Sequence, residues 1–212
     1  YRPALGPAAN ISQSLDVQRL VELASQILVQ REQLQVSFDS ERAEEDGLRQ
    51  ILQVGTSAGG ARAKAVIAWN PHTGDVRSGQ LAVPPGFEHW LLKFDGVRSN
   101  RDRELDDPRG YGAIEYAYFL MARDAGIRMS PCRLLEEHGR RHFMTRRCDR
   151  TPDGDKLHMQ SLGAIAHFDY NAPGGHSYED AFLVLRRLGL GLDSVEELFR
   201  RMRSEERRVG KE

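Results

Sequence analysis

Residues 55–64 read Gly55-Thr56-Ser57-Ala58-Gly59-Gly60-Ala61-Arg62-Ala63-Lys64. A run of small residues lets backbone amides approach phosphate oxygens with no side chain in the way. The run is neither a Walker loop nor a G-x-G-x-x-G element, and a flexible turn with Ser57 as its hydroxyl would read the same way. Lys93 adds a second clue. It lies in Trp90-Leu91-Leu92-Lys93-Phe94, a strand-like run whose ammonium must find a polar partner. Glu115, early in the next helical pattern, is the candidate. A glycine loop, a strand lysine and a helix glutamate in that order suit the handling of nucleotide phosphates. Taken singly, Lys93 also fits the wet face of an edge strand, and Glu115 an exposed carboxylate near a helix start.

Three other groupings invite a chemical reading. Arg146-Arg147-Cys148-Asp149-Arg150 is a basic cluster, but it lacks interleaved aromatics and sits in a chain of net charge −1, which disfavours a nucleic-acid patch. Asp149 is expected to pair with its flanking arginines and brace a turn. His158, His167, Asp169 and His176 match no compact zinc spacing, so no metal site is assigned to them; a metal-dependent hydrolase built on these histidines is a third-ranked reading. Nothing marks Cys132 or Cys148 as an activated thiol.

The elements that must position these residues follow from periodicity. Leu20, Leu23, Ala24, Ile27 and Leu28 recur at helical steps, predicting a helix from Ser14 to Gln35 with Ser14 and Asp16 suiting its first turn. Charged residues from Glu41 to Glu45 form a polar link. Ala65–Trp69 is a predicted strand, followed by turn residues Asn70 to Gly74. In the 90–94 strand, Trp90, Leu92 and Phe94 share one face and Leu91 and Lys93 the other. Tyr111–Ala125 is a predicted helix with Ile114, Ala117, Tyr118, Met121 and Ala125 as its apolar stripe, closed by Gly126. Strands at Cys132–Glu136 and Arg141–Arg147 make a hairpin around His138-Gly139. Beyond Pro152–Asp155 the pattern is helical, with capping boxes at Ser177/Asp180 and Ser194/Glu197. No repeat or low-complexity tract is visible.

Composition bounds these readings. The 212 residues, 40% hydrophobic and 29% charged, suit one large domain or two small ones with a packed core. No apolar run approaches the roughly 20 residues that span a bilayer. Two cysteines suit a reducing compartment, so a cytoplasmic protein without membrane partners is expected. The chain opens at Tyr1, and its start is expected upstream. Residues 203–212 resemble translated read-through of a sequencing adapter and are set aside.

Taken together, these segments resemble the HipA family of toxin kinases, in a branch with a Gly-Thr-Ser-Ala-Gly-Gly-Ala-Arg loop. The resemblance runs from Val54 to Met202. It rests on the 55–64 loop, Trp90-Leu91-Leu92-Lys93-Phe94 and Tyr111-Gly112-Ala113-Ile114-Glu115-Tyr116. Phe143-Met144-Thr145-Arg146-Arg147-Cys148-Asp149-Arg150, His158-Met159-Gln160-Ser161-Leu162 and Ser177-Tyr178-Glu179-Asp180 complete it. It implies an α+β, protein-kinase-like fold: a small lobe with an antiparallel sheet, then the start of a helical large lobe. The domains would be an N-terminal, largely helical remainder (1–54), a nucleotide-binding small lobe (55–147), the start of the large lobe (148–202) and the adapter-like tail (203–212).

The activity implied is ATP-dependent phosphorylation of a protein serine or threonine. By position, Gly59, Gly60, Ala61 and Lys64 belong to the phosphate loop, Lys93 contacts ATP, Glu115 is its helix partner, and Arg146 and Cys148 sit at the adenine-side hinge. Ser57 matches the serine that family members autophosphorylate, which would put charge of about −2 into the phosphate cradle. Implied partners are ATP with Mg2+ in the full-length protein, a protein substrate of the aminoacyl-tRNA synthetase kind, and a helix-turn-helix antitoxin through which DNA contact would be indirect. Cys148 departs from the family's phenylalanine, and Ala63 from its proline or glutamate. The family's Asn-x-Asp-Asp-His-x-x-Asn catalytic loop is expected directly after Met202, where the adapter-like tail begins. The chain as given is therefore expected to be inactive, and a noncatalytic module binding an antitoxin is the alternative.

Overall fold

Ala65-Val66-Ile67-Ala68 is an unbroken apolar run, the pattern of a strand covered on both faces. In the computed structural model, which describes residues 14–22, 64–96, 109–169, 172 and 174–209, that run is β1 (Lys64–Trp69), buried along almost its whole length. It joins β2 (Val76–Ser78), β3 (Glu88–Lys93), β4 (Cys132–Glu137) and β5 (Arg140–Arg146) in one antiparallel sheet of order β2-β1-β3-β5-β4. The short strand β2 has no counterpart in the sequence reading, because three residues are too few to show a period. The protein is thus α+β, with helices α1 (Tyr111–Asp124), α2 (Leu162–Ala166), α3 (Tyr178–Arg187) and α4 (Leu192–Val209).

The chain divides into two compact units. The first comprises Tyr1–Ala117 and Ser130–Asp155 and holds the sheet; the second comprises Tyr118–Met129 and Lys156–Glu212. In the first unit, Trp90, Leu92 and Phe94 turn to one face, as their period of two requires. There they pack with Ala65, Ile67, Val76 and Met144. Val17, Leu20 and Val21, from helical turns at residues 17–22, cover that face. Asp16 starts those turns by accepting the Gln18 amide at 2.9 Å. Ser14 does not belong to them: it bridges Arg77 in β2, and its hydroxyl donates to Asp75 at 2.6 Å. The β4–β5 hairpin turns through His138 (φ 44°) and Gly139 (φ 73°), the paired positive angles of a two-residue hairpin loop.

The apolar stripe expected to seat α1 does the opposite. Ile114, Tyr118 and Met121 are exposed, and Phe119 is the large side chain that is buried. The reason is Gly112. A Cβ there would collide with the Arg141 carbonyl oxygen and stand 3.0 Å from its carbon and 3.1 Å from the Phe143 nitrogen. Backbone-to-backbone contact with β5 turns the Gly112–Glu115 side of the helix toward the sheet, whatever the stripe prefers.

In the second unit, the Ser177/Asp180 capping box forms in full at the start of α3. The Ser194/Glu197 box does not form, because α4 begins before Ser194. Glu197 instead accepts the Arg128 amide at 3.1 Å and Arg201 Nε at 2.8 Å. Helix α4 continues to Val209, through part of the segment set aside in the sequence.

Candidate functional site

The register β1–β3–β5 sets Lys64 opposite Lys93 and Lys93 opposite Phe143. Directly paired residues in a ladder share a face, so these three lie side by side, on the face away from Trp90 and Leu92. Val66, Leu91, Thr145 and Cys132 form the next row of the same face by the same pairing.

Lys93 Nζ donates to Glu115 Oε2 at 2.6 Å and sits 5.6 Å from the centroid of the Phe143 ring. Both partners are about one-third to one-quarter exposed, so solvent reaches the pair from one side. Lys64 is only 7% exposed. Burial pushes its ammonium below the usual lysine range, and the neighbouring charge of Lys93 pushes the same way, against Glu115. Lys64 and Lys93 thus bring two ammonium groups and the Glu115 carboxylate together at the end of β1 that meets residue 63. That donor set fits a polyanion. Gly59, Gly60, Ala61 and Ser57 lie outside the described residues.

Glu115 reaches Lys93 because its helix is clamped at its start. Asp95, 2% exposed and two residues beyond Lys93, accepts the Gly110 amide at 2.9 Å and the Gly112 and Arg141 amides at 3.4 Å each. Its own amide donates to His142 Nδ1 at 2.9 Å. His142 is fully buried, and burial holds its imidazole below the usual histidine range despite Glu137 and Asp95 nearby. Neither Asp95 nor Gly112 stood out in the sequence. Their partners are 15 to 47 positions away, and most are backbone atoms, so no local pattern marks them.

At the other end of the strands, Arg147, leaving β5, donates its amide to His89 O at 2.9 Å. Asp149 receives Arg147 at 2.5 Å and Arg150 at 2.7 Å. The Arg147 hydrogen bond, above all, holds its carboxyl below the ordinary range. Arg146 turns to the Trp90 face and pairs with Glu88 at 3.4 Å, and Cys148 is exposed in the turn. His89 is nearly buried, and desolvation lowers its imidazole pKa. Burial raises the Cys132 thiol, which donates to Ser130 O at 3.3 Å.

His167 and His176 are used locally. His176 accepts the Asp169 amide at 3.1 Å and stacks on Phe168, and His167 takes the left-handed cap of α2. Among the described residues no three His, Cys, Asp or Glu side chains gather as a metal site, and no helix is long and apolar enough to cross a membrane.

Comparison with known families places a match to the HipA-like C-terminal domain over residues 56–204. No curated protein and no solved structure gives a significant match.

Proposed function

Because the chain belongs to the HipA-like C-terminal domain family, we propose that its first unit is the nucleotide-binding small lobe of an ATP-dependent serine/threonine protein kinase. One observation carries this reading: the 2.6 Å bond between Lys93 on β3 and Glu115 on α1, beside buried Lys64 where the glycine run enters the sheet. A lysine held on a strand by a helix carboxylate is pre-oriented toward phosphate oxygens and loses little freedom when they arrive.

ATP would supply the phosphoryl group that is transferred to a serine or threonine hydroxyl. Lys93 and Lys64 would neutralise its phosphates, and the backbone amides of residues 55–63 would cradle them. Adenine would lie toward the Arg146–Cys148 end, read by backbone groups, with the Arg147–Asp149–Arg150 ion pairs stiffening that turn. Among the described residues no cluster of three His, Cys, Asp or Glu offers magnesium a ligand set, and Glu115 is engaged by Lys93, so the metal ligands and the base aspartate would come from the family's catalytic loop. The protein as a whole would act in the cytoplasm on a protein substrate, in partnership with a helix-turn-helix antitoxin.

Calorimetric titration of the chain with ATP tests this. Saturable binding that weakens about tenfold or more in Lys93→Ala is expected, the loss of one charge-assisted phosphate contact. Binding equal in the two proteins, or absent from the parent, would remove the reading.

A further inference from the structure

Lys93 and Glu115 belong to different elements, and something must fix the distance between them. Lys93 ends β3, and Glu115 lies in the first turns of α1, which opens at Tyr111. The amides that begin a helix have no partners within it. Here the Gly110 and Gly112 amides are taken by one carboxylate, Asp95, which follows the strand lysine by two residues. The second oxygen of that carboxylate also accepts the Arg141 amide of β5, the strand on which Gly112 rests. The Asp95 amide in turn is fixed on His142, also in β5. One buried side chain therefore ties together the end of the lysine's strand, the start of the glutamate's helix and the strand beneath both.

We propose that Asp95 is a positioning residue for the phosphate-binding lysine: by fixing the first turn of α1 it holds Glu115 within hydrogen-bonding reach of Lys93. Its role in nucleotide binding rests on the reading given above; its role in forming the pair does not. Asp95 acts on the pair through the backbone amides of Gly110, Gly112 and Arg141 that it accepts.

The test reads the pair directly. The Lys93 ammonium, observed by nitrogen-15 NMR, exchanges its protons with water slowly only while Glu115 holds it, and Glu115→Gln assigns the signal and sets the released rate. Asp95→Leu, of similar size but with no acceptor, is expected to raise the exchange rate to that of Glu115→Gln, about tenfold. Asp95→Asn keeps one oxygen for Gly110 and Gly112 but turns a donor toward the Arg141 amide, so a smaller rise of about threefold is expected. Far-UV circular dichroism identifies the folded variants. If Asp95→Leu does not fold, Asp95→Asn decides alone.

A merely structural Asp95 would lower the melting temperature and leave Lys93 exchange at the parent rate; that result in a folded variant overturns the proposal. ATP titration of the same proteins separates the two ideas. If the parent binds no ATP but Lys93 exchange still rises in the Asp95 variants, the nucleotide reading fails and the positioning role stands. If the parent binds ATP and Asp95 variants change neither exchange nor affinity, the positioning role alone fails.

Discussion

Replacing Gly112 by alanine should destabilise the sheet-bearing unit, although alanine is the better helix former. The exchange alone would add at most about 1 kcal/mol of stability, the value for a helix interior, and less in the first turn where Gly112 lies. At this position the new methyl must withdraw from the Arg141 carbonyl by about 1.5 Å to reach an ordinary carbon–oxygen separation, and it is also crowded at 3.0–3.1 Å by the Arg141 carbon and the Phe143 nitrogen. All three obstacles are backbone atoms of β5, held in ladders with β3 and β4. They cannot swing aside as a side chain would. Overpacking against three backbone atoms costs about 3 kcal/mol, so the net loss is at least about 2 kcal/mol after the smaller propensity gain.

The chain's two tryptophans, Trp69 and Trp90, both lie in the sheet. Their fluorescence in urea therefore reports the unit that contains Gly112. With a slope of about 2 kcal/mol per molar, the midpoint should fall by about 1 M. Gly191→Ala is the control, since a Cβ there meets nothing within 4 Å. A Gly112→Ala midpoint at or above that of the parent would refute the close approach and, with it, the account of why α1 presents its apolar stripe to solvent. The same displacement should open the Lys93–Glu115 bond, because Glu115 follows Gly112 by three residues on one side of the helix.

The pair itself should be worth little in the folding balance. A double-mutant cycle of Lys93→Met and Glu115→Gln in urea is expected to give a coupling of about 1 kcal/mol, between exposed ion pairs and buried charge-assisted bonds; zero coupling would mean that the 2.6 Å contact does not persist in solution. Acid should act through the buried imidazoles of His142 and His89. Burial lowers both in the folded protein, so below the unfolded value of 6.5 the unfolded chain binds more protons. Stability is then full above that pH and falls as the pH drops beneath it, by up to about 1.4 kcal/mol per pH unit for each histidine. His142→Asn keeps an acceptor for the Asp95 amide and should flatten part of that slope between pH 6.5 and 5; an unchanged slope would show that His142 is not the group responsible.

Much of the scaffold is legible in the chain because its signals are local. The apolar run at 65–68, the alternation through Trp90, Leu92 and Phe94, the His138-Gly139 turn and the Ser177/Asp180 box each specify an element from neighbouring residues alone. The order of glycine run, strand lysine and helix glutamate likewise names a candidate pair before any coordinates. Where one element meets another, local pattern loses its authority. Ile114, Tyr118 and Met121 satisfy the periodicity of a buried stripe, yet Gly112 against the β5 backbone decides which side of α1 is inward. Ser194 and Glu197 have capping-box spacing, yet Arg128 and Arg201 claim the carboxylate and the helix starts earlier.

What the sequence by itself determined, then, is the set of elements and the residue types able to handle phosphate. Hydrophobic period, turn chemistry and side-chain charge are properties of short stretches of chain. Only the tertiary structure decided that Lys64 stands beside Lys93, that Glu115 reaches that lysine, and that Asp95 secures the helix start. Each depends on register or on backbone contact between residues 15 to 46 positions apart. Such contacts are chosen by the balance of packing across the whole sheet, and no window of sequence contains that balance.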